Sequence, residues 1–265
     1  MLRFKVDTKG NMGRIITVAN QKGGVGKTTT SVNLGASLAA AEKSTLVVDL
    51  DPQGNATSGL GIDPMGLEVS VYEALIGVRA ASDVVVSSEL DYLDLLPANR
   101  ELAGAEIELV DAEDRDQYLK KALETIRNNY EYIVIDCPPS LGLLTVNALS
   151  CADAVIVPLQ CEYYALEGLS RLLDTIGIIR QSINPGLEID GILLTMYDKR
   201  TSLSDQVAKE VRENFDGTVF ETVIPRNVRL SESPSFGKPA LLYDARSMGS
   251  RCYLDFAKEY LEMNR

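Results

Sequence analysis

The chain has 265 residues, 45% of them hydrophobic, which suits one large α/β domain or two small ones, and one is expected. Its net charge is −12 and it contains no histidine, which excludes Ser-His-Asp triads, Cys-His pairs and His-ligated metals and leaves carboxylates, lysines and a bound metal ion as the means of catalysis. Cys137, Cys151, Cys161 and Cys252 form no C-x-x-C, so buried free thiols are expected rather than a zinc ribbon or a disulfide framework. No apolar run approaches the ~18 residues of a membrane span. Residues 1–12 also lack the apolar centre of a signal peptide, so a soluble intracellular protein is expected.

In chain order, Ile15, Ile16, Thr17 and Val18 form a β-branched run suited to a buried strand. The octet Lys22, Gly23, Gly24, Val25, Gly26, Lys27, Thr28, Thr29 follows. It departs from the phosphate-loop pattern G-x-x-x-x-G-K-[ST] at Gln21, where the first glycine would fall, and it carries two lysines. The chemistry survives the departure. The glycines let backbone N–H groups close around phosphate oxygens, Lys27 adds a point charge, and the Thr28 hydroxyl can ligate Mg²⁺. A helix over residues 29–41, with Val32, Leu34, Leu38 and Ala39 at helical spacing, would aim its N-terminus at the loop and complete an anion site.

Apolar runs ending in polar or acidic residues recur at 44–50, 132–135, 154–159 and 189–195, with helical patterns at 118–128, 166–179, 207–215 and 248–261. Residues 64–66, 184–186 and 234–239 mark loops. Alternating strands and helices predict a mostly parallel twisted sheet flanked by helices on both faces, with ligands beyond the carboxyl ends of the strands. Acidic residues fall at those ends. Asp136, closing the run 132–135, has the form of a Walker B aspartate that holds Mg²⁺ directly or through water. Asp51 is the better placed of two carboxylates to orient or deprotonate an attacking water, and Asp49 to give outer-shell support to the metal, with capping of a turn as its structural alternative.

Charge is unevenly spread. Residues 1–196 hold 15 Lys+Arg against 27 Asp+Glu, whereas residues 197–265 hold 11 of each. Within 223–251, five cations face two acids, a local balance of +3 that could hold a polyanion; internal ion pairing of the same arginines is the equal alternative.

K-G-G-V-G-K-T-T at 22–29, D-L-D-P-Q-G-N at 49–55 and V-I-D-C-P-P-S at 134–140 together resemble the deviant Walker A P-loop ATPases. The segments at 160–169, 194–198 and 224–232 are similar to the ParA/Soj chromosome-partitioning branch of that superfamily. The resemblance covers residues 12–265 as a single P-loop ATPase domain. Because Met12-Gly13-Arg14-Ile15-Ile16 resembles the usual beginning of such proteins, residues 1–11 are expected to be a flexible leader or a mis-assigned start. The resemblance implies a slow, partner-stimulated Mg²⁺-dependent ATPase, cytoplasmic and nucleoid-associated. It implies an ATP-bound homodimer that binds duplex DNA non-specifically and works with a centromere-binding ParB/Spo0J-type partner. Lys22 matches the signature lysine that reaches the partner's ATP, Lys27 and Thr28 the phosphate and Mg²⁺ ligands, and Asp51 the catalytic carboxylate. Pro225, Arg226 and Asn227 match the segment lying against adenine, and Arg200 and Arg229 the DNA-binding arginines. Tyr163, Tyr164 and Glu167 begin a helix near the dimer or partner surface, with core packing as the other account of the aromatics. A MinD-like membrane-surface ATPase is the alternative; its basic amphipathic terminal helix is not matched by the acidic polar face of residues 255–262. A metabolic kinase or an iron–sulfur relative is disfavoured by the lack of a suitable cysteine pair and of an extra substrate domain.

Overall fold

The computed structural model describes residues 12–162 and 165–264, the side chains of 165–167 excepted. The leader expected at 1–11, Tyr163 and Tyr164, and the side chain of Glu167 lie outside the described residues. Seven strands, β1 (Arg14–Val18), β2 (Thr45–Asp49), β3 (Val86–Ser87), β4 (Leu93–Leu96), β5 (Tyr132–Asp136), β6 (Ala154–Gln160) and β7 (Glu188–Thr195), form one sheet in the order β3-β4-β2-β5-β1-β6-β7. Every pairing is parallel except β3 with β4 at the edge. Both faces are covered, so neighbouring residues of one strand serve opposite cores. Ile15, Ile133 and Val155 pack in one cluster, while Ile16, Val134 and Ile156 pack in the other.

This is the expected mostly parallel sheet between helices, with two strands added. The pair β3 and β4 escapes a periodicity reading because Asp94 interrupts the apolar run Leu93-Asp94-Leu95-Leu96. Asp94 is nevertheless buried, and its carboxylate accepts a hydrogen bond of 2.9 Å from the Tyr130 hydroxyl, which offsets the cost of taking it from water.

The connection after β1 lies where the topology turns. From β1 the chain crosses to β2, β4 and β5 on one side, then to β6 and β7 on the other, and ligand crevices form beyond the carboxyl ends at such a point. The glycine loop sits there. Its helix, Lys27–Ala40, starts two residues earlier than the expected 29 because Gly26, at φ 90°, turns the chain directly from loop to helix. The pattern at 118–128 divides into a helix, Tyr118–Glu124, and a 3₁₀ turn, Arg127–Asn129. The remaining helices run longer than their apolar patterns: Ala165–Ser182, Ser202–Asn214 and Met248–Met263.

Two features of the C-terminal part position the site. Residues 219–226 run alongside β7, with Phe220 N–H donating to Ile192 O, Ile224 N–H to Leu194 O and Arg226 N–H to Tyr197 O, so that Pro225 to Asn227 arrive at the carboxyl end of the sheet. The C-terminal helix buries Tyr253, Phe256, Ala257 and Tyr260, at helical spacing, in the core beside the loop helix. Its apolar stripe is thereby occupied inside the molecule, and among the described residues no helix is long and apolar enough to cross a membrane.

At the opposite end of the sheet, Arg14, Asp190 and Tyr260 tie β1, β7 and the C-terminal helix together. The Tyr260 hydroxyl donates to Asp190 Oδ2 at 2.5 Å and accepts from Arg14 Nε at 3.1 Å, while Arg14 reaches Asp190 Oδ1 at 2.7 Å. Tyr260→Phe keeps the ring and leaves a buried carboxylate oxygen without its donor. Chemical denaturation should register a loss of about 1–3 kcal/mol; an unchanged midpoint would mean that the triad contributes no net stability.

Candidate active site

The loop is held by two side chains, Asn20 and Thr195, that tie it to the ends of β6 and β7. Asn20 donates to Pro158 O at 2.7 Å and accepts from Lys22 N at 3.0 Å, fixing the start of the loop to β6. Thr195, the last residue of β7, donates through Oγ1 to Val25 O at 2.8 Å. Gly24 and Gly26 both have positive φ, 74° and 90°, a conformation that turns successive N–H groups into one concavity and that a side chain would strain.

The two lysines occupy different positions. Lys27 is 7% exposed and folds over its own loop, donating from Nζ to Lys22 O at 3.1 Å. Burial lowers its pKa, opposed by the charges of Asp136, Cys137 and Asp51. Lys22 points to the rim instead. Its ammonium pairs with Glu162 Oε2 at 3.0 Å, both side chains remain substantially exposed, and Glu162 Oε1 accepts from Gln160 Nε2 at 2.6 Å. No local signal reveals Glu162 as a partner, because the pair spans 140 residues of sequence. Asn20, two positions before the octet, carries a sequence signal as a small polar residue at a strand-to-loop junction.

Three aspartates face this loop. Asp49 and Asp136 stand side by side at the ends of β2 and β5, and Asp136 is also level with Val18 of β1. Asp136 Oδ1 accepts from Ser31 Oγ at 2.8 Å, whereas Oδ2 is buried without a hydrogen-bond partner; the nearby Thr28 hydroxyl favours the charged carboxylate without satisfying that oxygen. Burial first, and the charge of Asp49 second, push the Asp136 pKa up. Asp49 is raised too, chiefly by burial, but both of its oxygens are engaged: Oδ1 by Asp51 N at 3.1 Å, Oδ2 by Thr57 N and Oγ1, each at 2.7 Å. Thr57 Oγ1 in turn accepts from Ala98 N. Asp49 therefore ties the 51–57 turn to the sheet, the arrangement of its structural alternative, while an outer-shell role remains a proposal. Asp51, 7% exposed, lies beyond the strand and accepts from Gln53 N at 3.0 Å.

An orphaned buried carboxylate oxygen beside a threonine hydroxyl and a glycine concavity fits a magnesium–phosphate group. Among the described residues no cluster of three or more His, Cys, Asp and Glu could hold a metal alone, so a cation here must draw oxygens from a nucleotide and water. The thiols are structural: Cys137, Cys151 and Cys161 are buried, and burial pushes Cys151 up to about 12 and Cys161 up to about 11. Cys252, expected to be buried, is only partly so.

Beside the loop, a cavity of about 380 Å³ is lined by Gly26, Thr29, Thr195, Pro225, Arg226 and Asn227, so the segment matched to adenine contact adjoins the phosphate loop. Met196, in the same lining, holds a left-handed φ of 50°, an uncommon conformation for a non-glycine residue. Arg200 and Arg229 are not free cations. Arg200 forks onto Asp198, and Arg229 pairs with Glu232 and Asp244.

Because Asp49 and Asp136 have folded pKa values above the ordinary 3.8, these two sites bind more protons in the nucleotide-free fold than in the unfolded chain. Their contribution is favourable below 3.8 and is lost as pH rises through the raised range. Thermal melts without nucleotide should therefore fall in midpoint between mildly acidic and neutral pH. Asp136→Asn should flatten this dependence and raise the neutral midpoint by about 2–4 °C, the shift for ~1 kcal/mol in a domain of this size. A variant that melts lower than wild type at neutral pH would show that the carboxylate stabilises the empty site.

Residues 13–189 match the AAA domain family. The sporulation initiation inhibitor protein Soj of Bacillus subtilis is 58% identical over 94% of this chain and 98% of its own length. The chromosome partitioning protein ParA of Myxococcus xanthus is 55% identical over 95% of this chain and 89% of its own. Among solved structures, cobyrinic acid a,c-diamide synthase from Mycobacterium smegmatis with bound ADP and magnesium superposes with a TM-score of 0.84 at 42% identity, covering 94% of each chain. With these relatives, a glycine loop beside a buried strand-end aspartate and a mostly parallel sheet between helices, the chain belongs to the ParA/Soj family of chromosome-partitioning P-loop ATPases.

Proposed function

We propose that this ATPase is a nucleotide-driven dimer switch that binds duplex DNA without sequence preference and moves chromosome or plasmid DNA together with a ParB/Spo0J-type centromere-binding partner. The observation that carries the proposal is the divergence of the two loop lysines: Lys27 is buried over its own loop, while Lys22 is held at the rim by an exposed carboxylate. ATP carries more negative charge than one buried lysine can neutralise. A second cation from a partner subunit favours the dimer only while the γ-phosphate is present.

The cofactors are ATP and Mg²⁺. Backbone N–H groups of Gly23, Gly24, Val25 and Gly26 cradle the phosphates, Lys27 neutralises them, and Thr29 lies where the loop meets the base-side cavity. Thr28 and Asp136 would hold Mg²⁺, which supplies charge neutralisation at the phosphoryl oxygens. Asp51 orients the attacking water and takes its proton on a carboxylate oxygen; Asp49 acts through the 51–57 turn that it anchors. Pro225, Arg226 and Asn227 wall the base site, and Arg200 and Arg229 meet DNA phosphates. The protein would work in the cytoplasm on the nucleoid. A membrane-surface role is disfavoured by the C-terminal helix, whose apolar stripe is already buried. The diamide synthase name of the Mycobacterium smegmatis structure belongs to a protein at 42% identity, below the 58% shared with Soj over nearly its whole length.

Size-exclusion chromatography should give an ATP-dependent dimer for wild type, a persistent ATP dimer for Asp51→Ala with turnover reduced about 10²–10⁴-fold, and no ATP dimer for Lys22→Ala. Lys22→Ala protein that dimerises normally would remove the role given to that residue. Duplex DNA should bind about 100-fold or more tightly with ATP than without, through the linkage of two sites, and the affinity should fall steeply with salt. Equal binding with and without nucleotide would overturn the DNA reading.

A further inference from the structure

The carboxylates that pair with Arg200 and Arg229 have a geometry with its own consequence for DNA. Arg200 is highly exposed, with its side chain 86% accessible, yet Asp198 engages it as a fork: Nε to Oδ1 at 2.9 Å and NH2 to Oδ2 at 2.7 Å. The Arg200 backbone N–H also donates to Asp198 Oδ1 at 3.0 Å, which fixes the carboxylate on the same turn as the arginine. Two parallel N–H bonds to two oxygens are how a guanidinium grips a phosphate. This interaction holds the Asp198 carboxyl well below the usual carboxylate range.

Arg229 is held from three sides. NH1 meets Glu232 Oε2 at 2.8 Å, Nε lies 3.3 Å from Asp244 Oδ2, and the guanidinium sits 5.9 Å from the centre of the Tyr243 ring. The Tyr243 hydroxyl donates to the same Glu232 oxygen at 3.2 Å, anchoring that carboxylate in turn. The two sites adjoin: Asp198, Lys199, Arg200, Arg226 and Val228, which is next to Arg229, line one open groove of about 900 Å³. Pro225 to Asn227 are shared between this groove and the base-side cavity, and the Asn227 side chain accepts from Arg229 N at 2.9 Å as the N-cap of the short helix Val228–Glu232.

We propose that Asp198, Glu232 and Asp244 act as built-in substitutes for DNA phosphates, occupying Arg200 and Arg229 in the single chain and setting a threshold that only a two-chain DNA contact exceeds. This rests on the DNA reading given above. A phosphate approaching Arg200 must replace a carboxylate that already fills the fork, so one chain exchanges one anion for another and gains little. Two chains on one duplex make that exchange at linked sites, where the second contact is intramolecular, and the modest gain per arginine then suffices. The carboxylates thereby hold binding by single subunits below the level at which the linked two-chain contact still forms.

The test measures affinity for a short mixed-sequence duplex, with and without ATP, for wild type, Asp198→Asn, Glu232→Gln and the double variant; turnover without DNA monitors the fold. Asparagine keeps an oxygen for the Arg200 backbone N–H, and glutamine keeps one for Tyr243. Each single change should raise nucleotide-free affinity about twofold to fivefold, the fold-change of one exposed ion pair. The double variant should exceed either single one, and the gain with ATP should be larger than the gain without it, because it is made at two linked sites. Unchanged or weakened binding by Asp198→Asn and Glu232→Gln, where Arg200→Ala and Arg229→Ala reduce binding, would overturn the proposal and make the carboxylates positioning groups. If Arg200→Ala and Arg229→Ala leave DNA binding intact, the DNA reading of those arginines fails first and the proposal with it.

Discussion

Three aspartates and one buried lysine converge on a single glycine loop, and their charges do not balance. Asp136 is buried with one oxygen unpartnered, Asp49 lies level with it on the adjacent strand, and Asp51 stands just beyond. Lys27 is the buried cation over the loop. A surplus of buried negative charge is costly without a ligand and becomes useful with one: a divalent cation brought in with a nucleotide relieves the carboxylates while the glycine N–H groups and Lys27 meet the phosphates. Much of the surrounding architecture maintains this imbalance. Asn20 and Thr195 lock the loop to two strand ends, Ser31 holds one Asp136 oxygen from the loop helix, and Thr57 secures Asp49, so none of the groups can move apart to relieve the repulsion.

The outer ring of interactions follows a related logic with exposed groups. Lys22, Arg200 and Arg229 are the cations assigned to external anions, and each rests on an internal carboxylate: Glu162, Asp198, or Glu232 with Asp244. Exposed pairs of this kind contribute little to stability and exchange readily. They neutralise these cations within the single chain and, on the proposed function, would let them change partner when a second subunit or a duplex offers a better anion.

The centre of the fold was legible because its signals are local and chemical. A β-branched run before a glycine octet, and an apolar run ending at Asp136, need little tertiary information to be read as strand, phosphate loop and strand. The losses have equally physical causes. Strand β4 carries Asp94, whose burial depends on a tyrosine 36 residues away, so its apolar pattern is broken in sequence but compensated in space. The loop helix begins at Lys27 because Gly26 adopts a left-handed turn, a backbone property that side-chain periodicity does not record. Charge counting found the basic C-terminal patch but could not say which arginines are internally paired, since Arg229 draws on Asp244 across 15 positions and Lys22 on Glu162 across 140.

The central claim is that the charge of one ATP is met by two chains. Mixing Lys22→Ala protein with Asp51→Ala protein tests it directly, with ATP turnover as the readout. In a mixed dimer, the site on the Lys22→Ala chain keeps its own Asp51 and receives Lys22 from the other subunit, so it is complete if the lysine acts across the interface. Turnover should then rise well above that of either variant alone as the two are mixed. If the mixture is no more active than its components while mixed dimers demonstrably form, Lys22 serves its own subunit and the two-chain account is wrong.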